Sequence, residues 1–259
     1  MKRSAALAAY RILVGVSRYD HAVITSRRCR KSKIFSRLSD RIPAKDVNSM
    51  TKKQTAEESV RRLKEAYPDA ICSLESTQPH ELLIATRLSA QCTDARVNIV
   101  TKVLFDRYRT IHDFAVADLA DVESIVHPCG LYKTKALDII AMCQMLERDF
   151  DSTVPDEMEK LLKLPGIGRK TANLVLGDVY GKPAVVCDTH CIRITNHIGL
   201  TDTKDPLKCE TQLRKLLPPE ESNDFCHRLV LHGRAVCKAR NPQCQDCCLK
   251  DICKTGKKA

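Results

Sequence analysis

Tryptophan is absent from this chain, and phenylalanine and tyrosine together supply only eleven of its 259 residues. Glycine is scarce too, at nine residues. Sheet proteins draw on aromatic side chains and on glycine-bearing tight turns, so these shortages argue for helices. No segment alternates apolar and polar residues with a period of two, no Asn-Gly or Asp-Gly hairpin turn occurs, and no unit repeats at a fixed interval. Long apolar runs are missing as well. The best of them, Ala5–Val16, is interrupted by Arg11 and leads to no convincing cleavage site, so neither a secretory signal nor a membrane span is expected. The expectation is an all-α protein, long enough at 259 residues to bury a sizeable core in one large or two modest domains.

Acidic residues are depleted in one zone. Residues 1–49 hold twelve Lys or Arg against three Asp, a net of +9 out of the chain's +11, so the remainder carries only +2. Overall basicity is therefore a weak argument for nucleic acid binding, which has to rest on local sites. With RRCRKSK at its centre, the first zone reads as a basic, disordered extension, and Met50 opens ordinary folded-domain sequence and is an alternative start. A mitochondrial presequence has the same composition. Cysteine, by contrast, is abundant at fourteen residues. Without a secretory signal, that number points to a reducing compartment in which clustered thiols bind metal.

Helix signals begin at Met50. Thr55 and Glu58 read as a capping box ahead of Val60, Leu63 and Tyr67 on one face. Pro79 suits the first turn of a helix through ELLIATRLSA. Thr93 and Asp94 cap a run containing Val97, Val100 and Leu104. Further helices are expected near residues 121–127, 133–149, 156–163, 170–180, 188–197, 207–216 and 221–236.

Cys237, Cys244, Cys247 and Cys253 fall within seventeen residues, a segment with little room for a hydrophobic core. Such spacing lets one ligand set close around a metal. Both Zn²⁺ and an iron–sulfur cluster accept four thiolates. Structural zinc sites favour two CxxC-like pairs and this segment has one, so the spacing leans toward iron–sulfur and leaves zinc open. Cys248, adjacent to a ligand, points elsewhere in a compact loop. Arg234, Lys238 and Arg240 offset the negative charge of such a centre, face phosphates, or are simply solvated.

The stretch Leu164–Ala172 reads LPGIGRKTA. Leu164 and Pro165 stop one helix, Gly166 and Gly168 permit unusual backbone torsions, and a second helix starts near Arg169. This is a helix–hairpin–helix, whose exposed amides suit a backbone phosphate. Two cations follow where acidic residues are normally favoured. The positive helix end, Arg169 beside it and a partly desolvated cleft disfavour the ammonium form of Lys170 and make its amine a nucleophile able to form a Schiff base. Asp188, eighteen positions on in VVCDTH, is either a helix cap alone or also the carboxylate paired with that lysine.

Together these residues resemble the endonuclease III family, the iron–sulfur DNA glycosylases of base-excision repair, over about residues 52–253. The motifs are LPGIGRKTAN, VCDTH, LHGRAVC with the following cysteines, ELLIATRLSAQCTDARVN at 81–98 and CGLYKTKA at 129–136. The resemblance implies a bifunctional glycosylase and abasic-site lyase acting as a monomer on duplex DNA with oxidised pyrimidines or abasic sites. It implies catalysis by Lys170 and Asp188, one [4Fe-4S] cluster on Cys237, Cys244, Cys247 and Cys253, and insertion of Gln91 and Leu131 into the gap left by an extruded nucleotide. Further DNA contacts are expected at Gly166, Gly168, Arg169, Thr171, Lys238 and Arg240. The implied fold has two helical lobes with a DNA cleft between them. One is a six-helix barrel over 72–182, containing the helix–hairpin–helix at 156–180. The other is an iron–sulfur lobe built from 50–71 and 183–259. The location implied is the bacterial cytoplasm at the nucleoid, or the mitochondrion if residues 1–49 are a presequence. Arg87 and Cys92 depart from the apolar or small residues expected around SAQ, which leaves damage preference open. A sister glycosylase of other base specificity, a non-catalytic DNA-binding helix–hairpin–helix module and a zinc-dependent adaptor are the alternatives.

Overall fold

The computed structural model describes residues 50–258, so the basic N-terminal zone and the expectations attached to it lie outside the described residues. Within them every regular element is helical. In chain order the α-helices are α1 (Lys52–Ala66), α2 (Pro79–Leu88), α3 (Asp94–Arg107), α4 (Ile111–Ala115), α5 (Leu119–Val126), α6 (Tyr132–Phe150), α7 (Met158–Leu161), α8 (Arg169–Asp178), α9 (Thr189–Ile198), α10 (Pro206–Arg214) and α11 (Ser222–Ala235). Among the described residues no helix is long and apolar enough to cross a membrane.

Local chemistry explains most helix starts. Asp118, Asp188 and Asp205 cap α5, α9 and α10 through side-chain oxygens, each accepting the amide three residues on. Pro79 opens α2 as expected. The first helix corrects the sequence reading. Its capping box is Thr51 with Gln54, one turn before Thr55 and Glu58. Thr55 lies inside the helix and donates its hydroxyl to the Thr51 carbonyl at 3.0 Å. Glu58 is instead buried beside Arg61 and Arg62. The short α4 has no counterpart among the expected helices, since five residues show too little periodicity; a Thr110–Asp113 capping box starts it and buried Ile111 and Phe114 hold it. The first helix of the hairpin is a single turn, Met158–Leu161, shorter than 156–163.

Packing sorts these helices into two groups. In the first, α2 lies against α3, α6 and α8, α5 against α3 and α6, α4 against α6, and α7 against α8. In the second, α1 and α9 both pack on α11. α8 belongs to both, because it also touches α11. Buried side chains nevertheless form one continuous apolar cluster from Ala56 to Cys253.

The first helix is fastened to the end of the chain by charge as well as burial. Arg62 donates to Asp251 Oδ2 and to the carbonyl of Cys248, both at 3.0 Å. Lys64 pairs with Glu221. Tyr67 Oη lies 3.1 Å from His232 Nδ1.

Candidate active site

The hairpin between α7 and α8 is anchored by buried Leu164 and Ile167. Gly166 between them has φ +72, and a Cβ there would stand 2.7 Å from Arg87 Nε and 2.8 Å from Asp138 Oδ2. Both the left-handed torsion and the close approach demand glycine. Arg87 and Asp138 form an ion pair across α2 and α6, with Nε and Oδ2 2.7 Å apart. Arg87 is thus accounted for as the half-buried floor of the hairpin. Gly168 differs from expectation: its φ of −100 and ψ of 174 describe extended backbone, and a Cβ would meet open space.

No side chain caps α8. Its first intrahelical bond runs from the Ala172 amide to the Gly168 carbonyl at 3.0 Å, so the amides of Arg169, Lys170 and Thr171 have no partner within the helix. The Thr171 side chain is buried, which leaves only its backbone in that exposed turn. Arg169 is tied sideways: Nε and Nη2 donate to Glu210 Oε2 and Oε1 at 2.7 and 3.0 Å. Glu210 also accepts from Arg214 Nε at 2.9 Å and Asn173 Nδ2 at 3.1 Å. Burial pushes the Glu210 carboxyl up, but hydrogen bonds from Arg169 and Arg214 outweigh it and hold the group below the usual glutamate range. Arg169, expected at a phosphate, braces α8 against α10 through this carboxylate.

Lys170 is exposed, so the desolvation expected of its surroundings is not supplied by the protein alone. Its charge acts on both Asp94 and His190. Asp94 Oδ2 accepts from Ser73 Oγ and from Arg234 Nη2, both at 2.7 Å. Burial pushes the Asp94 carboxyl up; those two hydrogen bonds and the charges of Arg234 and Lys170 more than reverse this and keep it ionised. Asp188 Oδ1 accepts the Cys191 amide at 2.7 Å as the α9 cap. Two residues on, burial pushes the His190 imidazole down, against the pull of Asp188 and with help from Arg193, Arg234 and Lys170. Gly233 on α11 makes room for this ring, since a Cβ there would collide with His190 Nδ1.

One amine, two carboxylates and a neutral imidazole therefore gather where α3, α8, α9 and α11 meet. In the sequence Asp94 signals only a helix start, and His190 signals nothing. Arg234, expected beside the cysteine cluster or a phosphate, pairs instead with Asp94 across 140 positions. No local pattern carries that pairing.

Gln91 and Leu131, the expected insertion residues, are both exposed and both left-handed, with φ of 55 and 51. Non-glycine residues in that region carry strain of about 1–3 kcal/mol and cluster at functional sites. The two loops share one support. Lys135, fully buried, donates Nζ to the carbonyls of Leu88, Ala90 and Cys129 at 2.9, 2.8 and 2.9 Å. All three of its protons are satisfied. Burial lowers its pKa, although the neighbouring Cys129 and Cys92 thiols act the other way. Cys92 neighbours Cys129 beside this lysine, and burial pushes Cys129 up to about 11. Cys92 thus belongs to the loop support.

The cysteines form two separate groups. Cys237, Cys244, Cys247 and Cys253 line one recess, together with His197, Val236 and Lys250. Backbone amides of Leu249 and Gly256 donate to the sulfurs of Cys247 and Cys253 at 3.4 and 3.3 Å. His232 Nε2 lies 3.4 Å from Cys247 Sγ, and burial holds that imidazole down to about 4. A zinc ion with Zn–S bonds of about 2.3 Å would draw its sulfurs to about 3.8 Å from one another. No three of these four sulfurs lie within 4.8 Å of one another. Four thiols at this spacing, with amides aimed at sulfur, fit a polynuclear iron–sulfur group better than one zinc ion. Lys238 and Arg240 are exposed on the loop between Cys237 and Cys244. The second group, Cys187, Cys191 and Cys209, is buried, and its sulfurs all lie within 4.8 Å of one another. Sequence spacing carries no sign of it.

Residues 84–219 match the family model described as HhH-GPD superfamily base excision DNA repair protein. Endonuclease III of Synechocystis sp. is 45% identical over 204 residues, covering 78% of this chain and 93% of that protein. Endonuclease III of Escherichia coli is 38% identical over 201 residues, covering 78% and 95%. A solved trapped endonuclease III–DNA covalent intermediate superposes with a TM-score of 0.76 at 43% identity, covering 81% of this chain and 99% of that one. The all-helical fold, the helix–hairpin–helix and these likenesses converge: the chain belongs to the endonuclease III family of base-excision repair DNA glycosylases and abasic-site lyases.

Proposed function

We propose that this enzyme removes oxidised pyrimidines from duplex DNA and cleaves the strand 3′ to the resulting abasic site through a Schiff base on Lys170. The observation that carries this is an exposed lysine at an uncapped helix N-terminus, with the ionised Asp94 and the Asp188–His190 turn close by. Lys170 Nζ attacks C1′ of an extruded nucleotide, the C1′–N bond breaks, and the base leaves with the bonding pair and takes up a proton. The amine sheds a proton, its lone pair forms the C=N bond of the imine as the C1′–O4′ bond breaks, and O4′ takes up a proton to leave as a hydroxyl. The imine draws electrons from C2′ as a proton leaves there, and the C3′–O bond breaks with departure of the phosphate. Asp188 assists deprotonation of the amine and stabilises positive charge developing at the sugar. Duplex DNA completes the cleft and supplies the desolvation that an exposed Lys170 lacks.

The free amides at the start of α8 take a backbone phosphate. Lys238 and Arg240 add phosphate contacts from the cysteine loop. Gln91 and Leu131 enter the duplex from their left-handed loops and fill the vacated space. The cleft runs between a lobe of 72–182 and a lobe of 50–71 with 183–259, and the enzyme works as a monomer. Cys237, Cys244, Cys247 and Cys253 hold a [4Fe-4S] cluster, which clamps the second lobe.

Borohydride trapping tests the reading. Wild-type protein crosslinks to DNA containing thymine glycol or an abasic site, and Lys170→Ala does not. Trapping by Lys170→Ala would remove Lys170 as the nucleophile. Failure of the wild type to trap any substrate in a panel of damaged bases would leave a non-catalytic DNA-binding module.

A further inference from the structure

We propose that Cys187, Cys191 and Cys209 form a second metal site, separate from the four-cysteine recess, that takes one thiophilic d¹⁰ cation. Their sulfurs all lie within 4.8 Å of one another. A zinc–sulfur bond of about 2.3 Å requires sulfur spacings of about 3.8–4.0 Å between tetrahedral and trigonal geometry. Closing around an ion thus needs shifts of about an ångström or less. In the four-cysteine recess, by contrast, no three sulfurs come that close. The two groups differ in the kind of centre they can hold.

The ligand set is placed by rigid elements. Cys191 lies in the first turn of α9, Cys209 on α10, and Cys187 on the buried segment just before α9. Relative exposures of 8%, 0% and 0% for Cys187, Cys191 and Cys209 exclude competing water. A fourth thiol is at hand: Cys226 on α11, 3% exposed, lies beside Cys191. Behind Cys209 stands a hydroxyl pair, with Thr195 Oγ1 3.9 Å from the sulfur and 2.8 Å from Thr201 Oγ1. Such outer hydroxyls orient metal-bound thiolates. An all-sulfur set selects soft ions and rejects magnesium and calcium, which need oxygen ligands. Each thiol releases its proton as its sulfur–metal bond forms, so three protons leave for one divalent ion bound by three cysteines.

The site also brackets Asp188. Cys187 is its chain neighbour, and the Cys191 amide is the donor its carboxylate accepts. Metal bonds to these two cysteines would fix the backbone on both sides of that carboxylate.

The test uses full-length protein carrying its iron, with Cd²⁺ as the probe and iron counted in the same samples. One equivalent of Cd²⁺ taken up with no loss of iron, together with a sulfur-to-cadmium absorption, supports the site. The double variant Cys187→Ala/Cys209→Ala loses that equivalent and keeps its iron, whereas Cys143→Ala, a buried thiol of α6, keeps both. No tight Cd²⁺ in the wild type, uptake matched by iron loss, or undiminished uptake by the double variant would overturn it. If the double variant does not fold, cadmium NMR of the wild type decides: a sulfur-rich shift supports the site, and a nitrogen- or oxygen-rich shift overturns it.

Discussion

The ammonium of Lys135 donates to the carbonyl oxygen of Ala90 at 2.8 Å, one residue before Gln91. The same group reaches Cys129, two residues before Leu131. A single buried charge thus holds two left-handed loops in register. Replacing it by an apolar chain, Lys135→Met, leaves the buried carbonyls of Leu88 and Cys129 and the part-buried one of Ala90 without this donor, at about 1–3 kcal/mol for each buried group. We expect denaturant unfolding to show a destabilisation of about 3 kcal/mol, the lower end of that range for three carbonyls. Excision by the remaining folded protein should fall at least tenfold, while trapping on a pre-formed abasic site falls less. Equal losses on both substrates would restrict Lys135 to stability.

Asp188 has two duties that one substitution separates. Asparagine caps helices as well as aspartate does, so Asp188→Asn should fold with stability within about 1 kcal/mol of the wild type. Loss of the charge should lower the single-turnover excision rate by about 100-fold or more. Unchanged rates would reduce Asp188 to a helix cap.

The Arg169–Glu210 brace gives an opposite expectation for its arginine. Each cation that neutralises a phosphate adds about one to the salt slope of DNA binding, and its removal lowers the slope by as much. Arg169→Met should leave that slope unchanged and lower stability by about 1–2 kcal/mol, because the buried carboxylate loses one of its two cations and keeps Arg214 and Asn173. A reduced slope with unchanged stability would make Arg169 a phosphate contact rather than a brace.

The same carboxylate sets a pH dependence. The folded-state pKa of Glu210 is depressed, so its contribution is full above the ordinary glutamate pKa and is lost as pH falls through the lower folded value. Denaturant unfolding from neutral pH downward should show wild-type stability declining across the acid range. In Glu210→Gln part of that decline should be absent, with lower stability at neutral pH. Parallel profiles for the two proteins would show that Glu210 is not linked to acid stability.

Loss of the proposed cluster should act on the end of the chain first. Cys253→Ala, which takes away one wall of the recess, should cost the brown colour and expose residues 237–258 to limited proteolysis before the helices of residues 79–178. A colourless, protease-resistant and fully active Cys253→Ala protein would refute the iron–sulfur assignment.

Sequence alone determined the parts governed by short-range chemistry. The helices follow from amphipathic spacing and local caps, as at Thr93, Asp188 and Asp205, because a cap bonds its own first turn. The hairpin and the four clustered cysteines were legible because their groups lie close together along the chain. Discrepancies at that range are small: Thr51 and Thr55 each precede a plausible capping partner, and α4 is too short to show a period. Tertiary structure decided the rest, since its partners are set by which helices pack. Nothing near Arg169 announces Glu210, nothing near Asp94 announces Arg234, and Cys187, Cys191 and Cys209 meet only because α9 and α10 share a core. Lys135 reads as one more polar helix position. The fold places it at the base of the loops carrying Gln91 and Leu131, where its three protons meet three backbone carbonyls.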